Sequence, residues 1–313
     1  MGLSVRNVHK SYAGVPIVSD LSMEIAQGSI FGFLGPNGAG KTTTMRMLLG
    51  IIYPDKGEIT WNNQPANTIE RQFWGYLPEE RGLYPQMTVE DQLLFLAQLY
   101  GTPKQKAAQE LDQWLQYFQI TSYRKKLVKE LSKGNQQKIQ FLATILHDPT
   151  VLIMDEPFSG LDPVNMDMFK EAFWKLHRKG KTIIFSTHQM HQVEELCQQI
   201  VIINKGQVIA AGNVPQVKQN AGYKVIRLAQ EHDRKIQWLD EISGVQVKKR
   251  RQDYVEITLQ ADIHADRILA EAMNRGQQVT RFELVEPSLH DIFISKVSDI
   301  AMPDSPLVNT TER

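Results

Sequence analysis

Between about Leu3 and Ala211 the chain alternates short apolar runs with stretches whose apolar residues recur at helical spacing, the pattern of an α/β domain. Ser29-Ile-Phe-Gly-Phe-Leu34 reads as a strand, and Val151–Met154, Thr182–Phe185 and Ile200–Ile203 read as further ones. All are apolar at consecutive positions, as strands covered on both faces are. A glycine-rich turn follows the first of them, then Thr42-Thr-Thr-Met-Arg-Met-Leu-Leu49 has helical texture, with Gly50 placed to end the helix. Between about Pro85 and Leu146 the pattern becomes helical, with apolar stripes along Val89–Leu99 and Ala107–Phe118. This predicts a helical subdomain, about 85–146, inserted between two strands of the sheet, its stripes serving as core.

Beyond about Asn220 the texture changes again. Strand Tyr223–Leu228, helix Arg234–Ile242, strand Val245–Lys249, strand Tyr254–Leu259, helix Ala265–Arg275 and strand Gln278–Leu284 follow in turn. That βαββαβ order suggests a small α+β domain of ferredoxin-like type. Pro287–Val297 adds a closing helix, and the polar stretch 299–313, with Pro303 and Pro306, predicts a disordered tail. The expected division is a nucleotide-binding domain over 1–220 and an accessory domain over 221–298.

Composition narrows the classes without naming one. The chain has 313 residues, 42% hydrophobic and 22% charged, an ordinary globular balance. Lys+Arg and Asp+Glu are equal at 35 each, so the chain has no general attraction to nucleic acid or anionic lipid, and any anion site must be local. A lone cysteine, Cys197, forms no intrachain disulfide and suits a reducing compartment. Met1–Lys10 lacks the apolar core of a signal peptide. No apolar run approaches the ~20 residues a membrane-spanning helix needs, so if the protein serves a membrane, another chain supplies the span.

The strongest local signal is Gly35-Pro36-Asn37-Gly38-Ala39-Gly40-Lys41-Thr42, followed by Thr43. It matches G-x-x-x-x-G-K-[ST] between a strand and a helix. The glycines let backbone amides face phosphates, and the helix N-terminus adds positive potential. Lys41 supplies a cation for the β/γ oxygens, and the Thr42 hydroxyl can ligate Mg²⁺. Val151-Leu-Ile-Met-Asp155-Glu156-Pro157 ends a buried strand in two acids. Asp155 is placed to hold Mg²⁺ and Glu156 to take a proton from attacking water. Alone, the pair could equally be acids exposed in a loop.

Leu131-Ser132-Lys-Gly134-Asn135-Gln-Gln-Lys138 opens a helix upstream of that strand and resembles the LSGGQ signature of ABC ATPases. The resemblance covers the first two-thirds of the chain. It implies an ABC-type P-loop NTPase in which Ser132 and Gly134 meet the γ-phosphate bound to a second subunit. An ordinary helix N-cap at Ser132 fits the same residues. Ser159-Gly-Leu-Asp162 resembles the D-loop, Ser186-Thr-His188 the switch histidine, and Tyr12 the aromatic residue on which adenine stacks. His191, one turn on, reads as an ordinary residue; a metal pair with His188 has no further ligand cluster behind it. Gly75-Tyr-Leu-Pro-Glu79-Glu-Arg81 resembles the Q-loop with Glu79 in place of Gln, a position facing Mg²⁺ or the attacking water. Arg81 is a candidate base to offset its charge. With Lys133, Asn135 and Phe158–Asn165, Glu79 resembles the NatA branch of sodium-export-type transporters, and Pro287–Phe293 resembles the end of such subunits.

The resemblance implies an ATPase using ATP and Mg²⁺, with Lys41, Glu156 and His188 catalytic. It implies a homodimer sandwiching two nucleotides and a separate integral-membrane permease, the chain lying on the cytoplasmic face of the membrane. A soluble ABC ATPase of nucleic acid or ribosomes is the main alternative, against which stand one phosphate loop, no sustained heptads and no basic excess. A non-hydrolysing ATP-binding scaffold would not be expected to keep both Glu156 and His188. The cargo, whether sodium, drug, lipid or peptide, lies with the membrane partner.

Overall fold

In a computed structural model, described over residues 2–231, 236–260 and 264–301 with the side chains of 298–301 excepted, the chain divides into two compact units, 1–214 and 215–313.

The first unit opens with strands β1 (Gly2–Tyr12), β2 (Val15–Ala26) and β3 (Ile30–Leu34), then helix α1 (Lys41–Leu48), β4 (Lys56–Trp61), β5 (Gln64–Pro65) and β6 (Trp74–Leu77). Three helices follow, α2 (Val89–Leu99), α3 (Lys104–Tyr117) and α4 (Lys133–Ile145). The chain then returns to the sheet with β7 (Val151–Asp155), α5 (Pro163–Arg178), β8 (Thr182–Thr187), α6 (Met190–Leu196), β9 (Gln199–Asn204) and β10 (Gln207–Asn213). One sheet runs β10-β9-β3-β8-β7-β6, parallel except for β10. Every residue of β3, β7 and β8 is buried, which is why these strands read as continuous apolar runs.

A second, antiparallel sheet, β2-β1-β4-β5, had no counterpart in the sequence reading. Its alternation is broken where register shifts interrupt β1 against β2, beside Asn7 and Asp20, both with positive φ. Its inward residues Leu3, Val5, Leu21 and Ile25 join Phe31, Phe33 and Met45 in one core.

Helix α1 ends as expected at Gly50. The Gly50 amide donates to Met47 O (3.0 Å) and the Ile51 amide to Arg46 O (2.9 Å), the two hydrogen bonds of a Schellman ending.

The helical insert is joined to the sheet by aromatic packing. Phe118 after α3 meets Phe141 of α4, with ring centroids 5.7 Å apart, and Phe141 meets Phe169 of α5 at 4.9 Å. Phe173 of α5 and Phe158 after β7 both lie against Phe185 of β8, at 5.5 and 5.7 Å. Each such pair contributes about 0.5–1.5 kcal/mol beyond area burial. The chain of rings fixes α4 and α5 relative to the ends of β7 and β8.

The boundary falls within the first turn of α7 (Val214–Gln219), and the second unit continues with β11 (Tyr223–Gln230), β12 (Val245–Arg250), β13 (Val255–Gln260), α8 (Ala265–Asn274), β14 (Val279–Val285) and α9 (Leu289–Ala301). Its antiparallel sheet has the order β12-β13-β11-β14, with Ile226, Leu228, Ile257 and Leu259 packing on Ile268 and Ala272 of α8. The helix expected over Arg234–Ile242 is instead a 3₁₀ turn at Gln237–Glu241, residues 232–235 lying outside the described set. Ile236 sits in the left-handed region (φ 46°), which prevents any helix from running through it into the turn. Of the expected tail 299–313, residues 299–301 continue α9 and the rest lie outside the described residues.

The second unit has its own apolar cluster. Removal of residues after Ala221 should therefore leave the first unit folded and able to bind nucleotide. Circular dichroism of the truncated chain checks this: a coil spectrum would mean the first core depends on the second.

Candidate functional site

The carboxyl ends of β3, β7 and β8 lie side by side, and the loops leaving them build one cleft, the usual place for ligands in an open α/β sheet. The loop after β3 wraps tightly. Gly40, the N-cap of α1, has φ 102°, a conformation costly for any residue with a Cβ. A Cβ at Gly35 would lie 2.5 Å from the Ile203 carbonyl oxygen, so only glycine admits this approach to β9.

Asn37, Gly38, Lys41, Thr42 and Thr43 of this loop face a cavity of about 420 Å³. Across it stand Asp155 and Glu156 from the end of β7, and Glu79 from the loop after β6. Ile17 of β2 also lines it, a contribution the sequence did not signal.

Lys41 is buried. Its ammonium donates to the carbonyls of Gly35 (2.9 Å) and Pro36 (3.2 Å) and lies 3.6 Å from Glu156 Oε1. The Thr42 hydroxyl donates to Asp155 Oδ2 at 2.6 Å. The other oxygen of Asp155 pairs with the Ser186 hydroxyl, and that same Oγ accepts the Glu156 amide at 3.1 Å.

Glu156 has φ 49°, unusual for a residue with a side chain and worth about 1–3 kcal/mol of strain. The turn aims its carboxylate back into the cavity, where Oε1 meets His188 Nδ1 at 2.8 Å. His188 itself is about half exposed, at 48%, so it stands at the mouth with one ring nitrogen anchored inside.

Three carboxylates thus face one ammonium in the cavity. An added triphosphate would be repelled unless a cation accompanied it. The Thr42 hydroxyl and the Asp155 carboxylate, adjacent hard oxygen donors, suit Mg²⁺. Among the described residues no group of three His, Cys, Asp or Glu is placed to hold a metal ion.

The remaining expected residues lie elsewhere on the surface. Ser132 caps α4, its hydroxyl 3.4 Å from the Asn135 amide. Asp162 caps α5, accepting the Asn165 amide at 2.8 Å, and that hydrogen bond holds its carboxyl below the ordinary value. A Cβ at Gly134 would lie 3.9 Å from Asn165 Nδ2, so these two helix starts are neighbours. Tyr12 ends β1, half exposed, with the Lys10 ammonium 5.6 Å from its ring centre; it is not among the cavity-lining residues.

Helix α4 also ties the site together through side chains that the sequence did not single out. Gln137 donates to Pro157 O (3.0 Å), beside Glu156, and Gln140 to Pro78 O (2.8 Å), beside Glu79. Arg81 donates to Gln136 (3.1 Å), so its guanidinium serves α4 rather than neutralising Glu79. No composition or spacing signal marks such glutamines, whose partners are carbonyls up to 62 residues away in sequence.

A family model described as ABC transporter matches residues 18–159, and one described as ATP-binding protein DrrA1-3-like, C-terminal domain matches 212–297. An uncharacterized ABC transporter ATP-binding protein of Bacillus subtilis, YhaQ, is 44% identical over 298 residues, covering 95% of this chain and 99% of its own. A Nod factor export ATP-binding protein I of Burkholderia orbicola is 36% identical over 213 residues, 67% of this chain and 70% of its own. Among solved structures, one titled "Structure of ATP binding subunit of ABC transporter" superposes with a TM-score of 0.67 at 29% identity, covering 71% of this chain and 94% of its own. No helix among the described residues is long and apolar enough to cross a membrane. With an ABC-type P-loop fold and relatives of this similarity along nearly its whole length, the chain belongs to the family of ABC transporter ATP-binding subunits.

Proposed function

We propose that the protein hydrolyses ATP to drive export through a separate integral-membrane permease. The single observation carrying the hydrolytic reading is the triad Lys41–Glu156–His188, with Glu156 Oε1 within 3.6 Å of the ammonium and 2.8 Å of the imidazole. Lys41 has hydrogen-bonding capacity to transfer from backbone carbonyls to β/γ-phosphate oxygens. Water attacks the γ-phosphorus while giving a proton to Glu156, the bond to the β-phosphate oxygen breaks, and ADP and phosphate leave. His188 orients Glu156 and touches the γ-phosphate. Thr42 and Asp155, with Glu79 across the cavity, would hold Mg²⁺, which supplies charge neutralisation of the phosphates. Tyr12 stacks on adenine, and the exposed Ser132 and Asp162, with the partly buried Gly134, complete the site of a second copy in a nucleotide-sandwich homodimer on the cytoplasmic face of the membrane.

Export rests on the Nod factor export relative. A sodium cargo rests on the resemblance carried by Glu79, Lys133 and Asn135. Mg²⁺-dependent ATP turnover, raised on reconstitution with a membrane protein that copurifies with this chain, tests the first part; sodium flux in those vesicles tests the second. Absence of turnover in the reconstituted complex would end the reading.

Glu79 gives a sharper prediction. An anionic acceptor binds a hard cation better than an amide carbonyl does. Glu79→Gln should therefore modestly lower apparent Mg²⁺ affinity while turnover survives, and Glu79→Ala should lose most of the stimulation by the membrane partner. A Mg²⁺ titration of ATPase activity, with and without that partner, decides: superimposable curves would leave Glu79 without a part.

A further inference from the structure

We propose that Ser186 is the positioning residue for both acids of the site, and that its hydroxyl sets how strongly this protein holds its divalent cation. The inference rests on the ATP-site reading above and adds a residue to it.

Ser186 is fully buried in a strand that is otherwise apolar through Ile183, Ile184 and Phe185. A buried hydroxyl there needs partners. Parallel pairing of β7 with β8 puts Ser186 directly beside Asp155. Its Oγ lies between Asp155 Oδ1 and the Glu156 amide. The polarity of this chain is fixed by chemistry, because an N–H can only donate and a carboxylate can only accept. The Glu156 amide therefore donates to Oγ, sharing its proton with the Ser186 carbonyl oxygen at 3.2 Å, and the single Ser186 proton goes to Asp155.

Two consequences follow. Asp155 is 1% exposed, and its side-chain partners are two hydroxyls, one for each oxygen. Among the described residues none forms an ion pair with it, and the Lys41 ammonium is engaged by two carbonyls and faces Glu156. The Ser186 hydroxyl on one oxygen and the Thr42 hydroxyl on the other stop the carboxylate from rotating away from the cavity. The same Oγ also holds the amide of Glu156, where the backbone turns to φ 49°. One hydroxyl therefore couples the metal-facing carboxylate to the turn that aims the proton acceptor.

Partners one step removed from a metal typically change affinity or activity by 10–100-fold when lost. Ser186→Ala should weaken Mn²⁺ binding, followed by electron paramagnetic resonance on protein loaded with a non-hydrolysable ATP analogue, by about tenfold. The Mg²⁺ concentration for half-maximal turnover should rise by a similar factor, while ATP binding in EDTA stays as in the wild type. Ser186→Thr, which keeps the hydroxyl, should restore the metal affinity. Ser186→Cys, nearly the same size but a weak donor, should behave like the alanine variant and replaces it if that protein does not fold.

A residue that only packs would lower Tm and the amount of active protein without moving either metal curve. Wild-type Mn²⁺ affinity in Ser186→Ala or Ser186→Cys overturns the proposal. Absence of Mg²⁺-dependent turnover in the wild-type complex would instead overturn the ATP-site reading beneath it.

Discussion

Glu156→Gln is expected to bind ATP and keep it. The amide has nearly the shape of the carboxylate, and its oxygen can still accept from His188 Nδ1, which lies 2.8 Å from Oε1. It cannot take a proton from water. Loss of a general base typically costs about 10²–10⁴-fold in rate. The substitution also removes one of three carboxylates facing Lys41, so the cavity becomes less hostile to a triphosphate. Tighter nucleotide binding with arrested turnover should let two copies stay closed around ATP. The measurement is paired: single-turnover hydrolysis, and size-exclusion chromatography at saturating ATP–Mg²⁺. A dimer that appears only with ATP, with hydrolysis at least a hundredfold slower, is the expected outcome. A monomer hydrolysing at the wild-type rate would remove Glu156 from the chemistry and leave the sandwich without support.

The parallel sheet was legible because a strand buried on both faces has to be apolar at consecutive positions, and Phe31–Leu34, Val151–Met154 and Ile183–Phe185 are. The cavity was legible in its loops, since glycines at 35, 38 and 40, followed by Lys41 and Thr42, have few other uses after a strand. The structure brings Lys41, Thr42, Glu79, Asp155 and Glu156 to one cavity.

What the sequence hid depends on sheet register or on backbone acceptors. The antiparallel sheet was missed because shifts near Asn7 and Asp20 destroy the period of two. The link from Ser186 to Asp155 joins residues 31 apart in sequence and exists only because β7 and β8 are neighbours. Arg81 was placed near Glu79 on proximity in the chain, yet it reaches Gln136, because the direction of a long side chain is set by what packs around it. The Arg234–Ile242 segment shows the same limit at backbone level, where the left-handed Ile236 breaks an otherwise acceptable helical pattern.

Lys41→Ala should abolish function earlier in the cycle than Glu156→Gln does, at nucleotide binding. The ammonium is buried at 6% exposure, held by two carbonyls and facing Glu156. Each hydrogen bond from a charged donor contributes about 1.5–3 kcal/mol, so losing those destined for the phosphates should weaken ATP binding at least tenfold. The three carboxylates of the cavity would then face the triphosphate unopposed by any lysine, which adds to the loss. Turnover should fall further than affinity, because charge developing on the transferred phosphoryl group would meet no fixed cation; one preorganised donor is typically worth about 10²–10³ in rate. Lys41→Arg separates charge from shape. The guanidinium keeps the charge, but its planar fork does not fit the pair of carbonyls at Gly35 and Pro36 that seat a compact ammonium. Binding should recover partly and turnover hardly at all. Equilibrium binding of a fluorescent ATP analogue, steady-state hydrolysis and a circular-dichroism check of folding distinguish these outcomes. Wild-type hydrolysis by a folded Lys41→Ala protein would show that the phosphates lie elsewhere.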